Sequence, residues 1–302
     1  MGIKIVKSID EANCITHGGT FHSDDVFATV FLEKIFDEVR VIRVMESEEE
    51  IEGKIIYDVG RGKFDHHQLG GNGERENGIK YASIGLLWKE FGREFLQKID
   101  VKNIEYVWNQ MDEKLISYID ANDNGQTEEI NQKCEIVELA HLISDFNKNW
   151  DEDVDQDERF FEATKFAKYI FDNRLKSIIS KSKAVEKVED AIENSENKIL
   201  VLEEYMPWKE IVLKSENKKA KEILYVIMPS NRGGYSINAV PVKSGSFENR
   251  KSFPENWGGK QNEELANITG VKSARFCHNA RFLCTADEKE DAIILARKAV
   301  EE

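Results

Sequence analysis

Histidines and aspartates are concentrated in three short segments of the N-terminal half of the chain. "THGGTFHSDD" (residues 16–25) holds two of the six histidines in 302 residues. "KFDHHQ" (63–68) adds an adjacent histidine pair just after the apolar run "KIIYDVG", which contains Asp58, and "YIDANDNG" (118–125) adds two more aspartates. Together the segments offer His17, His22, Asp24, Asp58, His66, Asp120 and Asp123 as candidate metal ligands.

This mixture of side chains indicates a pair of divalent ions. Imidazole nitrogens with several carboxylates suit Mn²⁺, with Mg²⁺ as the alternative, whereas Ca²⁺ favours oxygen ligands alone and structural Zn²⁺ recruits cysteines. Two such ions about 3.5–4 Å apart can activate a water and hold a phosphoryl group for in-line displacement. The segments therefore predict two-metal phosphoryl chemistry.

Each candidate also has a purely structural interpretation. His17 alone would be an ordinary hydrogen-bonded loop histidine, and either Asp24 or Asp25 would serve as the N-cap of the following helix. Asp58 would end a strand in a turn, and the run Asp123-Asn124-Gly125 has the composition of a turn. The adjacent histidines at 66 and 67 are harder to explain in this way, and a shared site accounts for all three segments at once.

The elements around the segments place them at one end of a sheet. From residue 1 to about 150, short β-type runs such as "CIT" and "VRVIRV" alternate with helical runs such as "VFATVFLEKIFDE". This alternation predicts an α/β domain with a largely parallel sheet, whose carboxyl edge is where such folds bind ligands. A helix is predicted over 101–120, so the aspartates of the third segment lie at its C-terminus, where the helix dipole disfavours acidic side chains.

The rest of the chain predicts a connector and a second domain. Residues 155–196 lack Pro and Gly and repeat apolar positions at three and four, which predicts a long helix or a helix pair. From 198 onwards short strands return ("KILVLEE", "EILYVIMPS", "GYSINAVPV"), followed by a final helix. We therefore predict an α/β fold with an N-terminal parallel-sheet domain (1–150), a helical connector (151–197) and a smaller C-terminal α/β domain (198–302).

Composition and charge narrow the functional class. A chain of 302 residues exceeds the size at which one hydrophobic core stops growing, which agrees with two domains. The chain has no run of 18 apolar residues that would span a membrane. Four scattered cysteines without a CxxC pair indicate reduced thiols and a cytoplasmic location. The net charge of −15 argues against bulk DNA binding, but residues 231–286 hold eight basic and four acidic residues. This basic segment is either an ordinary fluctuation of surface charge or the part that holds an anion.

The motifs resemble a known superfamily. "DHH" at 65–67, the upstream Asp58 and the N-terminal histidine–aspartate loop look like the DHH phosphoesterases, which include manganese pyrophosphatases, oligoribonucleases and single-strand exonucleases. The order of "THGGTFHSDD", "FDHHQ", "YASIGLLWKEFG", "DANDNG", "MPWKE", "AVPVKSGSFENRKSFPENWGG" and "FCHNARFL" resembles the melanocyte-proliferating-gene family of exonucleases, from about residue 14 to the C-terminus.

The resemblance implies roles for the site residues. The wider superfamily has His-x₃-Asp-x-Asp in its first loop, whereas this chain has His17-x₄-His22-x-Asp24, so that His22 stands where an aspartate is usual. One ion would be held by His17, His22 and Asp58, and the other by Asp24, Asp58, His66 and either Asp120 or Asp123, with Asp58 bridging. The resemblance also implies that His67 contacts the substrate phosphate and that Asp65 orients a histidine.

The C-terminal domain resembles the DHH-associated domain, which closes over the active site and binds substrate. The glycine-rich "GGGH" segment of many relatives is absent, and "RFCHNARFL" stands in its place, so Arg275, His278 and Arg281 would contact phosphate. "NRGGYS" (231–236), with Arg232, is a second place for a phosphate, or simply a hairpin turn. Arg275 and Arg281 would otherwise be surface residues beside a strand.

The resulting function is a metal-dependent phosphodiesterase, and the resemblance implies a 3′–5′ exoribonuclease that hydrolyses single-stranded RNA. A small substrate, such as a short oligonucleotide or a cyclic dinucleotide, is the alternative. A catalytically idle metal-binding module is a further alternative, which the full set of histidines and aspartates opposes. The sequence leaves the oligomeric state open, with a homodimer among the possibilities.

Overall fold

The computed structural model describes residues 2–127, 133–134 and 136–302. The chain forms two compact units, Met1–Ile179 and Ser180–Glu302. Each unit contains its own sheet and its own cluster of buried apolar side chains. This division is the outcome expected for a chain too long to be served by one core.

Four parallel strands form the sheet of the first unit. They are β1 (Ile3–Ile5), β2 (Cys14–His17), β3 (Val39–Val44) and β4 (Ile55–Ile56), in the spatial order β1-β3-β2-β4. Cys14 lies opposite both Val41 and Ile55, so β2 is an inner strand. Because all strands are parallel, the carboxyl ends of β2 and β4 lie side by side at one edge of the sheet.

Helices supply the rest of the first unit: α1 (Ser23–Ile35), α2 (Ser83–Lys98), α3 (Ile104–Met111), α4 (Ser117–Asp123) and α5 (Leu139–Ser144). A π-helical segment, Asp112–Ile116, joins α3 to α4. Residues 23–33 of α1 are all buried, because this helix is apolar around most of its circumference and packs in the core. Phe31, for example, makes an edge-on contact with Trp88 of α2, with ring centroids 5.1 Å apart.

A single helix, α6 (Gln156–Glu193), runs for 38 residues. Its early apolar positions, including Phe160 and Phe171, belong to the core of the first unit. Its later ones, including Val188 and Ile192, belong to a cluster of the second unit. The sequence left open a helix pair, and the uninterrupted run of helix-forming residues without Pro or Gly gives one helix instead.

The second unit is a mixed five-stranded sheet with helices: strands β5 (Ile199–Val201), β6 (Tyr225–Pro229), β7 (Tyr235–Ala239), β8 (Ala274–Cys277) and β9 (Leu283–Ala286), and helices α7 (Lys209–Lys214), α8 (Lys218–Glu222), α9 (Asn262–Thr269) and α10 (Lys289–Glu301). The spatial order is β5-β6-β7-β9-β8, and only β5 and β6 are parallel. Small residues of α10, such as Ala292 and Ala296, share one buried cluster with Ile237 and Cys284 of the sheet.

The predicted α/β fold is confirmed, with a parallel sheet, a second sheet and helices in each unit. The predicted domain limits at 150 and 197 stay predictions. The hairpin interpretation of "NRGGYS" is confirmed, because β6 and β7 are antiparallel and both glycines of the turn have positive φ. Within the described ranges, no helix has both the length and the apolar character needed to cross a membrane.

Two predicted elements differ in extent. The strand expected to run through "GKIIYDVG" is only Ile55–Ile56, because Tyr57 makes just an isolated bridge to Phe64 and the chain turns at the next residue. The helix expected over 101–120 begins at Ile104, changes to π-helix at 112 and continues to Asp123. Local π-helical turns of this kind occur frequently near functional sites.

Candidate metal centre

Two adjacent strands deliver His17 and Asp58. His17 is the last residue of β2, and Asp58 follows β4 by two residues. Asp58 has a φ of 55°, in the left-handed region that aspartate enters more readily than most residues. Backbone conformations of this type cluster at functional sites, where the surrounding structure holds them. The turn directs the buried Asp58 carboxylate towards the end of the sheet, beside His17.

The first turn of α1 presents two buried carboxylates with different partners. Asp25 accepts a hydrogen bond from the backbone amide of His22, 2.9 Å away, as the third residue of a helix does in a capping box. Asp24 instead accepts from the amides of Ser83 and Ile84, at 2.9 and 2.8 Å, which begin α2. The prediction that one of the two aspartates is the N-cap of α1 is wrong, because His22 occupies that position and Asp24 serves a different helix.

Imidazole nitrogens and carboxylate oxygens converge between these elements. His17 Nε2 lies 3.1 Å from Asp25 Oδ2 and 3.2 Å from Asp58 Oδ2. His66 Nδ1 lies 3.5 Å from Asp58 Oδ1, and its Nε2 lies 2.8 Å from Asp123 Oδ2. Asp58 therefore turns a different oxygen towards each of two histidines.

Three groups among the described residues bring ligand atoms within 4.8 Å of one another: Asp58, Asp65, His66 and His67; His17, Asp25 and Asp58; and Asp24, His66 and Asp123. The predicted ligands His17, Asp24, Asp58, His66 and Asp123 are thus brought together. Asp25 was absent from the predicted ligand set. Its place directly after Asp24, at the start of a helix behind the histidine loop, was the available sequence signal.

The charge of the cluster favours cations. Burial raises the pKa of Asp24 well above its usual range, and the neighbouring Asp58 and Asp123 carboxylates raise it further. Burial opposes the charged form of His17, but contacts with Asp25 and Asp58 outweigh it and raise the pKa of His17 to about 11. So many carboxylates in a low-dielectric site require positive charge nearby.

The donor set fits divalent ions. His17 Nε2, Asp25 Oδ2 and His66 Nδ1 are buried and make no hydrogen bond of acceptable geometry, although each lies near other ligand atoms. Buried polar atoms of this kind need a partner, and ligand atoms directed into one small space are available to a metal ion. Nitrogen and carboxylate donors together are suited to a divalent metal ion.

His67 and Asp65 form a pair beside this cluster. Asp65 Oδ1 lies 2.7 Å from His67 Nδ1, and Asp65 also accepts a hydrogen bond from the Arg61 amide at 2.6 Å. Burial opposes ionisation of Asp65, yet the hydrogen bonds from His67 and Arg61 lower the pKa of Asp65 to about 2. The same hydrogen bond raises the pKa of His67, whose side chain is 57% exposed. An exposed imidazole whose cationic form is favoured by a neighbouring carboxylate is suited to contact an anion.

Asp120 lies in a different environment from Asp123. Its carboxylate accepts a hydrogen bond from the Gly85 amide at 3.1 Å and lies 2.7 Å from the guanidinium of Arg75, which also binds Asp112. Burial raises the pKa of Asp120 to about 7, against the opposing effect of Arg75. Asp120 is in none of the three ligand groups found in the described part of the chain. Arg75 was not among the predicted site residues, because a lone arginine in a glycine-rich loop gives no pattern.

His22 borders an open cavity of about 480 Å³ next to the ligand groups. His66, His67 and Asp123 line the same cavity, together with His141 of α5, which no motif predicted. The ring of His22 lies 5.7 Å from that of His17, centroid to centroid. His22 does not join the three ligand groups among the described residues, so its role as a ligand stays a prediction.

The predicted phosphate contacts lie in the second unit. Arg232 and Arg275 line a cavity of about 600 Å³ on the sheet face that carries Ser236, Asn238 and Thr285. Arg275 also lies 3.2 Å from Asp287 on the surface.

His278 and Arg281 lie in the turn between β8 and β9 instead, outside the residues that line this cavity. Arg281 donates a hydrogen bond to the Phe253 carbonyl at 3.3 Å, and Nδ1 of His278 accepts one from the Ala280 amide at 3.0 Å. The structure therefore separates the four predicted contacts into two pairs.

Comparison with known proteins identifies the family. The chain is 30% identical over 320 residues to a MYG1 protein of Caenorhabditis elegans, and the aligned region covers 95% of this chain and 94% of that protein. It is 26% identical over 332 residues to a MYG1 protein of Saccharomyces cerevisiae (99% of this chain, 98% of that one) and 26% identical over 319 residues to the MYG1 exonuclease of Homo sapiens (93% and 84%). No solved structure matches the chain significantly.

A sequence model of one protein family matches residues 13–300. The match begins just before β2, which carries His17, and ends within α10. Relatives named as exonucleases and a site with clustered metal-ligand groups agree with a metal-dependent exonuclease family. The chain belongs to the MYG1 exonuclease family, described as uncharacterised protein family UPF0160.

Proposed function

We propose that this protein is a metal-dependent phosphodiesterase that removes nucleotides from the 3′ end of single-stranded RNA, using two divalent ions with Mn²⁺ preferred. The observation that carries the proposal is the position of Asp58, whose two carboxylate oxygens face His17 and His66 at 3.2 and 3.5 Å. A carboxylate shared by two ligand groups can serve a pair of nearby ions at once.

The proposed ligands follow from this sharing. His17, Asp25 and Asp58 would hold one ion, and Asp24, His66 and Asp123 the other. Asp58, whose second oxygen lies 3.5 Å from His66, would serve both. Asp123 is preferred to Asp120, because Asp120 is already neutralised by Arg75 and holds the start of α2. His22 lines the adjoining cavity and is proposed to complete the first set, as the resemblance implies.

When bound, the two ions lower the pKa of a water and offset the negative charge that develops on the phosphoryl group. The chain itself orients the phosphate. His67, held through Nδ1 by Asp65, keeps its Nε2 free to donate a hydrogen bond to a phosphate oxygen. The contact with Asp65 raises the pKa of His67, which favours the cationic imidazole and so a charge-assisted hydrogen bond to phosphate.

Arg232 and Arg275 are proposed to bind other phosphates of the strand. They lie in the basic segment 231–286 and line one cavity, whereas the first unit offers mainly carboxylates around its ligand groups. Guanidinium groups suit this role because they pair with phosphate oxygens through two parallel hydrogen bonds. His278 and Arg281 stay predicted contacts in the neighbouring turn.

The test is a release assay on end-labelled strands. Purified protein is incubated with 5′-labelled and 3′-labelled single-stranded RNA, with single-stranded DNA and with a cyclic dinucleotide, in Mn²⁺, Mg²⁺ or a chelator. We expect Mn²⁺-dependent release of mononucleotides from the 3′ end of RNA and no release by Asp58→Asn. Faster cleavage of the cyclic dinucleotide would support the small-substrate alternative, and metal-independent cleavage would contradict the proposed chemistry.

A further inference from the structure

Two cysteines face each other in the sheet of the second unit, although seven positions separate them in the sequence. Cys277 of β8 and Cys284 of β9 are directly opposite in the antiparallel register. Both side chains are fully buried and belong to one apolar cluster. The scattered spacing of the four cysteines gives no sign of this pairing, because only the hairpin brings these two together.

The hydrogen bonds of the hairpin define the type of pair. The His278 amide donates to the Leu283 carbonyl at 2.8 Å, so the next pair along, Cys277 with Cys284, is of the non-hydrogen-bonded kind. The backbone of Cys277 confirms this, since its amide donates to the Lys260 carbonyl and its carbonyl accepts from the Gly259 amide, both at 3.0 Å and both away from β9. In such pairs the Cα atoms lie about 4.5 Å apart and the side chains are close.

That separation is compatible with a disulfide, whose Cα atoms usually lie about 4.4–6.8 Å apart. Both cysteines project to the same face of the sheet, into the cluster that contains Leu295. The neighbouring Cys284 thiol lowers the pKa of Cys277. A thiol whose anion is stabilised by a neighbouring thiol is the more reactive partner in disulfide chemistry.

We propose that Cys277 and Cys284 form a reversible disulfide when the protein meets hydrogen peroxide. The Cys277 thiolate attacks one peroxide oxygen and the O–O bond breaks, which leaves a sulfenic acid on Cys277 and hydroxide, which takes up a proton as water. The Cys284 sulfur then displaces the sulfenic hydroxyl, forming the S–S bond and releasing a second water. Two thiols are oxidised by two electrons and one peroxide is reduced; a dithiol reductant reverses the change.

The position of the pair explains both access and consequence. β8 is the last strand of its sheet, and at Cys277 its outer side is hydrogen-bonded to the backbone of Gly259 and Lys260 rather than to a strand, so local opening there is easier than in the centre. The bond would close the short turn that contains His278 and Arg281, two of the predicted phosphate contacts. Oxidation would therefore fix the ends of that turn.

Trypsin gives a direct test, since it cleaves after Arg275, Arg281 and Lys289 and so separates the two cysteines. The full-length Cys134→Ser variant, which lacks the exposed thiol, is treated with hydrogen peroxide, blocked with N-ethylmaleimide in denaturant and digested without reductant. We expect peptides 276–281 and 282–289 to appear as one linked species, with two fewer blocked thiols per chain than before oxidation. Dithiothreitol should return both peptides to the free form.

Matched variants show which cysteines form the linked species. Adding Cys14→Ser to the same chain removes a buried cysteine of the first unit and should leave the linked species unchanged. Adding Cys284→Ser should abolish it. If the two peptides stay separate after peroxide, with Cys277 and Cys284 blocked as thiols or oxidised to sulfinic acid, the proposal is wrong. The same treatment and digestion of the wild-type chain decide this even where a variant folds poorly, and the result is independent of any nuclease activity.

Discussion

The adjacent histidines His66 and His67 have different surroundings, so replacing each of them should impair a different property of the protein. His66 is buried with both ring nitrogens directed at carboxylates, whereas His67 is exposed and directs only Nδ1 at carboxylates, 2.7 Å from Asp65 and 3.6 Å from Asp58. His67→Ala should leave the bound metal near the wild-type ratio while turnover falls roughly 10²–10³-fold, as for loss of one transition-state contact. His66→Ala should lower the metal content itself.

Elemental analysis of the dialysed variants, paired with a single-turnover assay, distinguishes the two. His141→Ala is a suitable control, because His141 lines the same cavity but joins none of the ligand groups among the described residues. Equal loss of metal from the His66 and His67 variants would mean that the assigned division of roles is incorrect.

Asp120 and Asp123 lie one helical turn apart in α4, and replacing each of them should have a different effect on metal binding and on stability. Asp123→Asn removes a carboxylate from the group shared with Asp24 and His66, so it should weaken metal binding with little change in the unfolding of the metal-free protein. Asp120→Asn should do the opposite, retaining metal but destabilising the fold by about 1–3 kcal/mol, because a buried guanidinium of Arg75 loses a partner.

Metal titration and chemical denaturation of both variants give the comparison. Arg75 keeps its contacts with Asp112 in either case, which limits the destabilisation. A stable Asp120→Asn protein that no longer binds metal would reverse the assignment.

At the scale of elements, the start of α2 is supported from two other helices. Its N-cap, Ala82, has no side-chain acceptor, and its first amides are bound by Asp24 of α1 and Asp120 of α4. Side-chain acceptors at a helix N-terminus replace the hydrogen bonds that the first amides lack. Carboxylates near the candidate centre thus also connect α1 and α4 to the start of α2.

Gly85 in α2 tests this arrangement. A Cβ atom there would lie 1.9 Å from Oδ2 of Asp120, too close for the carboxylate to stay. Although alanine favours a helix by about 1 kcal/mol over glycine, we expect Gly85→Ala to destabilise the protein by about 1–3 kcal/mol through overpacking. Thermal unfolding of Gly85→Ala, Asp120→Ala and the double variant measures the coupling. The double variant should be no less stable than Asp120→Ala alone, and simple additivity would argue against the clash.

At the scale of the whole molecule, the two units differ in charge and in proposed task. The ligand groups of the first unit are rich in carboxylates, and the cavity of the second unit is lined by Arg232 and Arg275. If both arginines contact phosphate, each alanine variant should raise KM for RNA and reduce the dependence of log binding on log salt by roughly 0.7 per lost contact. Metal content should not change.

Binding measured by fluorescence anisotropy between low and moderate salt provides the slope. Arg297→Ala is the matched control, because Arg297 is an exposed arginine of the same unit outside that cavity. Unchanged KM and slope in both the Arg232 and Arg275 variants would move the phosphate contacts elsewhere and leave the metal chemistry as the remaining part of the proposal.

The fold class and the position of the candidate centre could be predicted from the sequence. Alternating strand and helix patterns predicted the parallel sheet, and the rule that ligands bind at the carboxyl edge placed His17 and Asp58 together. The adjacent histidines at 66 and 67 were recognised as site candidates from residue type alone. These features are local, because periodicity and motif order are properties of neighbouring residues.

Which acidic residues share a site and which serve another purpose depends on contacts between elements that the sequence does not reveal. Asp123 meets His66 while Asp120, three residues earlier, meets Arg75, and no sequence pattern distinguishes them. Asp25 joins His17 for the same reason, and Cys277 meets Cys284 only because a hairpin aligns them. A carboxylate takes its role from the partners within a few ångströms, and those partners come from elements far apart in the chain.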